Sequence, residues 1–232
     1  MIIANVATYS AREGNRREAL DSIACQVDVI NVTLNGYKQV PSDLRTLKNA
    51  NFYFPEADLK DVGKFAFRVE EHDDVFLCDD DIIYPSAYTE THMRIREEIG
   101  IDDIILGVHG VIYSDYYDGM KRSGRLVQVF HHELDCHEQV NQLGTGTVYA
   151  KGAQLPSLQF MRGSGGYVDI RFARFAFKNS YPLVCIRRQA NWLQEVTNDE
   201  TLYLSVTSQL PTEALVEIQD FCGLSRLESE LA

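Results

Sequence analysis

Ile2 to Thr8 reads as a short buried strand. A polar stretch, Tyr9-Ser10-Ala11-Arg12-Glu13-Gly14, separates it from a segment that places Ala19, Leu20, Ile23 and Ala24 on one helical face. Val27 to Leu34 is a second β-rich run, closed by the turn signal Asn35-Gly36. Asn51 to Phe54 reads as a third strand and Asp61 to Val69 as a short helix. Asp74 to Cys78 is a fourth strand that runs directly into Asp79-Asp80-Asp81. Ser86 is placed to cap a helix over Tyr88 to Ile99, which Gly100 stops, and Asp103 to Val108 is a further strand.

Regularity falls away between Lys121 and Leu143, where charge, a short Val/Phe run and histidines mix. Gly144-Thr145-Gly146-Thr147 is then a tight backbone passage ahead of Val148-Tyr149-Ala150. Asp169 to Lys178 reads as an aromatic-rich amphipathic helix and Leu183 to Ile186 as a strand. Pro211 opens a last helix through Phe221, with Ala214, Leu215, Ile218 and Phe221 in one stripe.

Strand and helix alternate through the first hundred residues, so the expected fold is α/β: a mixed, partly parallel sheet with helices on both faces. Ligands of such sheets sit at the carboxyl ends of the strands, where the strand order reverses. Asp79-Asp80-Asp81 occupies one of those ends. The chain has 232 residues, 45% of them hydrophobic, enough for one domain; no Ser/Gly/Pro-rich linker marks a second. A catalytic domain over residues 1–196 with a C-terminal helical extension over 197–232 is the expected division.

A net charge of -12 argues against a general nucleic-acid binder, which needs clustered Lys and Arg. The five cysteines are scattered and odd in number, which suits reduced thiols. The start of the chain has no basic region of a signal peptide, and no apolar run approaches the ~20 residues that cross a bilayer. A cytoplasmic protein is expected, with peripheral work at the inner face of a membrane left open, as is the oligomeric state.

Three consecutive aspartates repel one another unless a cation or solvent relieves them. A hard divalent ion such as Mg or Mn takes one or two carboxylates and completes its shell with substrate phosphates. At the end of a strand Asp79 and Asp81 point to one side and Asp80 to the other. His131, His132, Glu133 and His137 fit no zinc spacing and read as a polar surface stretch; neither they nor His109 are assigned a role.

Phe76-Leu77-Cys78-Asp79-Asp80-Asp81-Ile82-Ile83-Tyr84-Pro85 resembles the DXD segment of GT-A fold glycosyltransferases, in particular family-two-like bacterial enzymes of capsule and lipopolysaccharide synthesis. Other segments follow in the order of that family. Ala7-Thr8-Tyr9-Ser10-Ala11-Arg12 is similar to its donor-cradling first loop, and Thr33-Leu34-Asn35-Gly36-Tyr37 to the strand end that meets the nucleotide base. Asp61-Val62-Gly63-Lys64-Phe65 resembles a GDxGK-like segment. Leu143 to Ala150 resembles the glycine-rich acceptor passage, and Tyr167-Val168-Asp169-Ile170-Arg171-Phe172 the segment of the catalytic base. Cys185 to Leu193 ends the match.

The resemblance implies a GT-A, Rossmann-like mixed sheet and a sugar transfer from a nucleotide diphosphate sugar, a UDP-sugar being the expected donor. The acceptor implied is a glycan or lipid-linked hydroxyl, and the stereochemical course is inversion. Asp169 is implied as general base. Thr8, Tyr9, Arg12, Asn35, Asp61, Lys64, Asp79 and Asp80 are implied on the donor, Gly144, Thr145, Gly146 and Trp192 on the acceptor side, and Asp79 with Asp81 on Mn or Mg. Each has a plainer reading: Lys64 as an exposed helix lysine, Asp169 as a carboxylate favoured at a helix start, Trp192 as a core residue. A sugar-phosphate nucleotidyltransferase, a non-catalytic nucleotide- or carbohydrate-binding module and a metal-dependent hydrolase compete for the same residues.

Overall fold

β1 (Ile2–Tyr9) and β2 (Val29–Asn35) are buried almost without interruption, a pattern that only a sheet covered on both faces produces. The further strands are β3 (Ala50–Tyr53), β4 (Asp74–Cys78), β5 (Ile82–Ile83), β6 (Ile105–Gly107), β7 (Gly110–Tyr113), β8 (Arg125–Gln128), β9 (Glu138–Val140), β10 (Gln142–Leu143), β11 (Thr147–Lys151), β12 (Leu183–Cys185) and β13 (Gln194–Glu195). The helices are α1 (Arg16–Ala24), α2 (Tyr88–Ile99), the single turn α3 (Leu158–Met161), α4 (Val168–Lys178) and α5 (Thr212–Gln219). A computed structural model of the protein describes residues 1–10, 16–115, 117–119, 124–196 and 210–222.

Eight strands form the main sheet in the order β3-β2-β1-β4-β11-β6-β12-β9. β3, β2, β1 and β4 pair parallel, as do β6 and β12, whereas β11 runs antiparallel to β4 and β6, and β9 antiparallel to β12. From β1 the chain steps outward through β2 and β3, then returns to lay β4 on the other side of β1. The crevice between the carboxyl ends of β1 and β4 is therefore the switch point at which such sheets bind ligands.

Alternate residues feed two cores. Phe76, Cys78, Leu106, Tyr149 and Val184 face Leu20 and Ile23 of α1 and Tyr88 and Ile95 of α2. Val75, Leu77, Ile105, Val148 and Cys185 face Phe172, Ala173 and Ala176 of α4. Ala214, Ile218 and Phe221 share that second core, so α5 belongs to the body of the fold. The rest of the extension, 197–209 and 223–232, lies outside the described residues.

Two local expectations change. The helix foreseen over Asp61 to Val69 is a 3-10 helix, Lys60–Phe65. Side chains of β2 occupy its backbone groups: Thr33 Oγ1 donates to the Gly63 carbonyl at 2.8 Å, and Asn35 Nδ2 donates to the Lys60 carbonyl at 3.1 Å. Ser86 does not cap α2. Ala87 holds that position, and the side-chain oxygen of Gln26 instead accepts from the Thr89 N–H at 3.3 Å. Gly100, at φ 68°, ends the helix as the sequence indicates.

Candidate active site

β4 ends in the crevice, and β11 begins beside it. Their antiparallel register sets Thr147 opposite Cys78, which brings the preceding Gly146 against Asp79. A β-carbon on Gly146 would lie 2.0 Å from Asp79 Oδ2, so glycine is required by contact with the carboxylate. Tyr84, buried, locks the junction. Its hydroxyl accepts from the Asp79 N–H at 2.8 Å and donates to the Gly146 carbonyl at 2.7 Å. Burial pushes that hydroxyl's pKa well up, which keeps it a donor.

Along the triplet, Asp79 and Asp81 stay partly exposed and Asp80 is buried, the alternation expected of a strand end. Lys64 is not a surface lysine. Only 2% exposed, it pairs with Asp79 Oδ1, and its ammonium donates to the Thr145 carbonyl at 3.3 Å. Burial by itself would lower the Lys64 pKa. The carboxylates of Asp79, Asp169 and Asp61 outweigh it and raise the pKa above the ordinary value.

Thr145 carries the cluster onward. Its N–H and its hydroxyl both donate to Asp169 Oδ1, at 2.8 and 2.6 Å. Asp169 is the second residue of α4, where the helix dipole favours a carboxylate. Asp61, at the other edge, accepts from the Gly166 N–H at 3.2 Å, and burial raises its carboxyl pKa while Lys64 opposes the rise. Asp61, Asp79 and Asp169, drawn from three separate segments, thus surround one ammonium.

The remaining sequence-level candidates divide. Thr8 is buried at the end of β1, and its hydroxyl oxygen has no hydrogen-bond partner among the described residues. Tyr9 is half-buried next to it, and Arg12 lies outside the described residues. Asn35 is spent on the loop: Nδ2 donates to the carbonyls of Thr8 and Lys60, and Oδ1 accepts from the Leu59 N–H. It holds this edge together instead of offering a free amide to a base. Trp192 is half-buried and packs on Tyr88 and His92, with ring centroids at 5.6 and 6.0 Å, as part of the aromatic cluster around α2. Gly144 donates its N–H to the His109 carbonyl at 2.9 Å.

Tyr84 escaped the sequence reading, and His109 was left there without a role. Tyr84 lay inside the DXD-like segment, but its partner Gly146 is 62 positions away and local pattern cannot reveal the bond. His109 sits against Gly144, its Nδ1 buried with no hydrogen-bond partner among the described residues. Burial lowers its pKa, the field of Asp169 opposes that, and Arg188 reinforces it. Proximity to a glycine turn was the one available signal.

His131 and His132 are exposed, and among the described residues no group of three His, Cys, Asp or Glu side chains is arranged to hold a metal. Asp79 offers its carboxylate beside the buried Lys64 ammonium, and Asp81, two residues on, is a second partly exposed carboxylate, oxygen donors of the kind a hard divalent ion takes. A cavity of about 280 Å³ opens next to Asp61, between Asp58, Lys60 and Val62 on one side and Arg162, Gly163 and Gly165 on the other. A larger groove, about 380 Å³, runs along β7 and β8 past Tyr113, Arg125 and Asn141 and shares no residue with the carboxylate cluster.

No family model and no curated protein matches the chain. Among solved structures, S. aureus TarS 1–349 in complex with UDP-GlcNAc matches with a TM-score of 0.60 and 14% identity, over 97% of this chain and 68% of that one. A further structure of S. aureus TarS 1–349 matches with a TM-score of 0.53 and 16% identity, over 82% of this chain and 59% of that one. The chain has the GT-A fold, a mixed α/β arrangement of an eight-stranded, mostly parallel sheet flanked by helices. No helix among the described residues is long and apolar enough to cross a membrane.

Proposed function

We propose that this protein is a glycosyltransferase that moves a sugar from a nucleotide diphosphate donor, a UDP-sugar in the first instance, to a hydroxyl of a glycan or lipid-linked acceptor. The observation that carries the reading is the cluster at the sheet's switch point. There the strand-end Asp79 and the helix-start Asp169 are bonded into one network through Lys64 and Thr145. The likeness of the fold to TarS in complex with UDP-GlcNAc supports the donor class.

On this reading Asp169 takes the proton of the acceptor hydroxyl as general base, and the displacement inverts the anomeric carbon. Its Oδ1 is occupied by Thr145, which leaves Oδ2 for the acceptor. Lys64, paired with Asp79 at rest, would turn its ammonium toward a departing diphosphate and offset its charge. Asp79 and Asp81 would hold Mn or Mg. When bound, the ion adds charge neutralisation on the phosphate oxygens. The cavity beside Asp61 offers space for the nucleoside.

The test is a panel of nucleotide sugars with Mn or Mg, read by thermal stabilisation and by release of nucleoside diphosphate. A donor at about 100 times its dissociation constant stabilises by about 2.7 kcal/mol, roughly 5–10 °C for a chain of this size. Asp169→Asn should keep that stabilisation and lose turnover by about 10²-fold or more. Asp79→Asn should lose both. Stabilisation with no turnover in any condition would make the protein a binding module, and a panel without effect would end the transferase reading.

A further inference from the structure

We propose that Thr145 is a positioning residue: it aims the Asp169 carboxylate and ties it to the charge state of the donor side. The assignment rests on the transferase reading above and adds a residue through which the base acts. Thr145 is 1% exposed, sits in the turn between β10 and β11, and is held on three sides. Its N–H and its hydroxyl converge on a single oxygen, Asp169 Oδ1, at 2.8 and 2.6 Å. Its carbonyl receives the Lys64 ammonium at 3.3 Å, and the same ammonium pairs with Asp79.

Two donors on one carboxylate oxygen do more than stabilise the anion. They fix the rotation of the carboxyl group, so that the basic lone pairs of Oδ2 point in one direction. A helix start alone would leave the carboxylate free to turn about its side-chain torsion, which is broad for Asp. The turn itself is anchored on both flanks. The Gly144 N–H bonds to the His109 carbonyl at 2.9 Å, and the Gly146 carbonyl accepts from the Tyr84 hydroxyl at 2.7 Å. Any movement of Lys64 from Asp79 toward a diphosphate therefore acts on the Thr145 carbonyl, one residue's width from the base. Donor binding and base alignment share this peptide.

The experiment compares the full-length native chain with Thr145→Val and Thr145→Ser, using UDP-GlcNAc first and then whichever nucleotide sugar stabilises the protein. Thr145→Val keeps the shape and the N–H but removes the hydroxyl. Its kcat should fall about 10- to 100-fold, the loss expected when one hydrogen bond to a charged group disappears. Donor affinity by calorimetry and donor KM should each change by less than about 2-fold, since the interaction acts on the base. Thr145→Ser should recover kcat to within about 3-fold, because it restores the donor. The Thr145 amide proton resonance should shift between the native chain and Asp169→Asn at one fixed pH, a readout of the bond that needs no turnover. Thr145→Val with more than half the native kcat would overturn the assignment, as would equal loss of kcat and donor binding, or failure of Ser to recover. Should the native chain turn over no nucleotide sugar at all, the transferase reading itself fails and the catalytic sense of Thr145 goes with it.

Discussion

Gly146 and Tyr84 hold Asp79 from opposite sides, one by offering no side chain and the other by bonding two backbone groups. Gly146→Ala would push a methyl into the Asp79 carboxylate. The carboxylate cannot swing aside without breaking its pair with Lys64. Overpacking of this kind costs about 1–3 kcal/mol, and the strain falls on the residue proposed to meet the donor. The variant should therefore lose donor stabilisation in a thermal-shift assay by more than it loses intrinsic melting temperature; an unchanged donor response would show that Asp79 is not held in place here. Tyr84→Phe leaves the Asp79 N–H and the Gly146 carbonyl buried without their partner, at a cost of about 1–3 kcal/mol. Urea unfolding should show the midpoint drop, and a midpoint equal to the native one would mean that water replaces the hydroxyl. That Asp79 follows a strand end and Asp169 stands at a helix start was legible in the sequence, because both are local patterns. The burial of Lys64 was not, since it depends on the turn that carries Thr145, 81 positions away.

At the scale of elements, α2 carries a group that couples stability to pH. His92 is fully buried among Phe76, Tyr88, Tyr149 and Trp192, with Nδ1 bonded to the Tyr88 carbonyl at 2.9 Å. Burial pushes its pKa down to about 4, opposed by that bond. Between the ordinary value near 6.5 and about 4, the unfolded chain takes up a proton that the folded chain refuses, so stability falls as pH falls through that window. The loss amounts to roughly 3 kcal/mol for this one group. In His92→Leu the same window should lose about one proton's worth of slope when unfolding free energy is followed against pH. Equal slopes in the two proteins would mean that His92 charges in the folded state. Tyr88 to Ile99 was readable as this helix from its period and from Gly100, and the parallel strands were readable from the alternation of strand and helix. β7 to β10 were not. They are two to four residues long, and their pairings are long-range, so neither length nor period marks them.

At the scale of the molecule, the helix that presents Asp169 is braced by the last described helix of the chain. α4 turns its buried face to the sheet, and its arginines reach α5. Arg171 Nε donates to both Glu217 oxygens at 2.7 Å, Arg171 Nη2 lies 2.5 Å from Glu217 Oε1, and Arg174 meets Asp220 at 2.5 Å. The Glu217 side chain is 6% exposed and that of Arg171 17%, so this pair is an internal strut. Removing one member of a buried pair strands the other and costs about 3 kcal/mol or more. For a chain of this length that is a fall in melting temperature of roughly 6–12 °C. Glu217→Ala should show it, whereas Glu98→Ala, which removes an exposed partner from Arg94 on the surface of α2, should cost well under about 1 kcal/mol. The same comparison bears on function. Lys64 and Asp79 are carried by elements that α5 does not touch through this pair, so Glu217→Ala should retain donor affinity at a temperature where it remains folded. Turnover should fall as the start of α4 loosens and Asp169 loses its alignment with the Thr145 hydroxyl. Equal melting temperatures for the two variants would show that α5 rides on the fold without bracing it. A parallel fall in donor affinity and turnover would place the effect in the sheet instead of in α4.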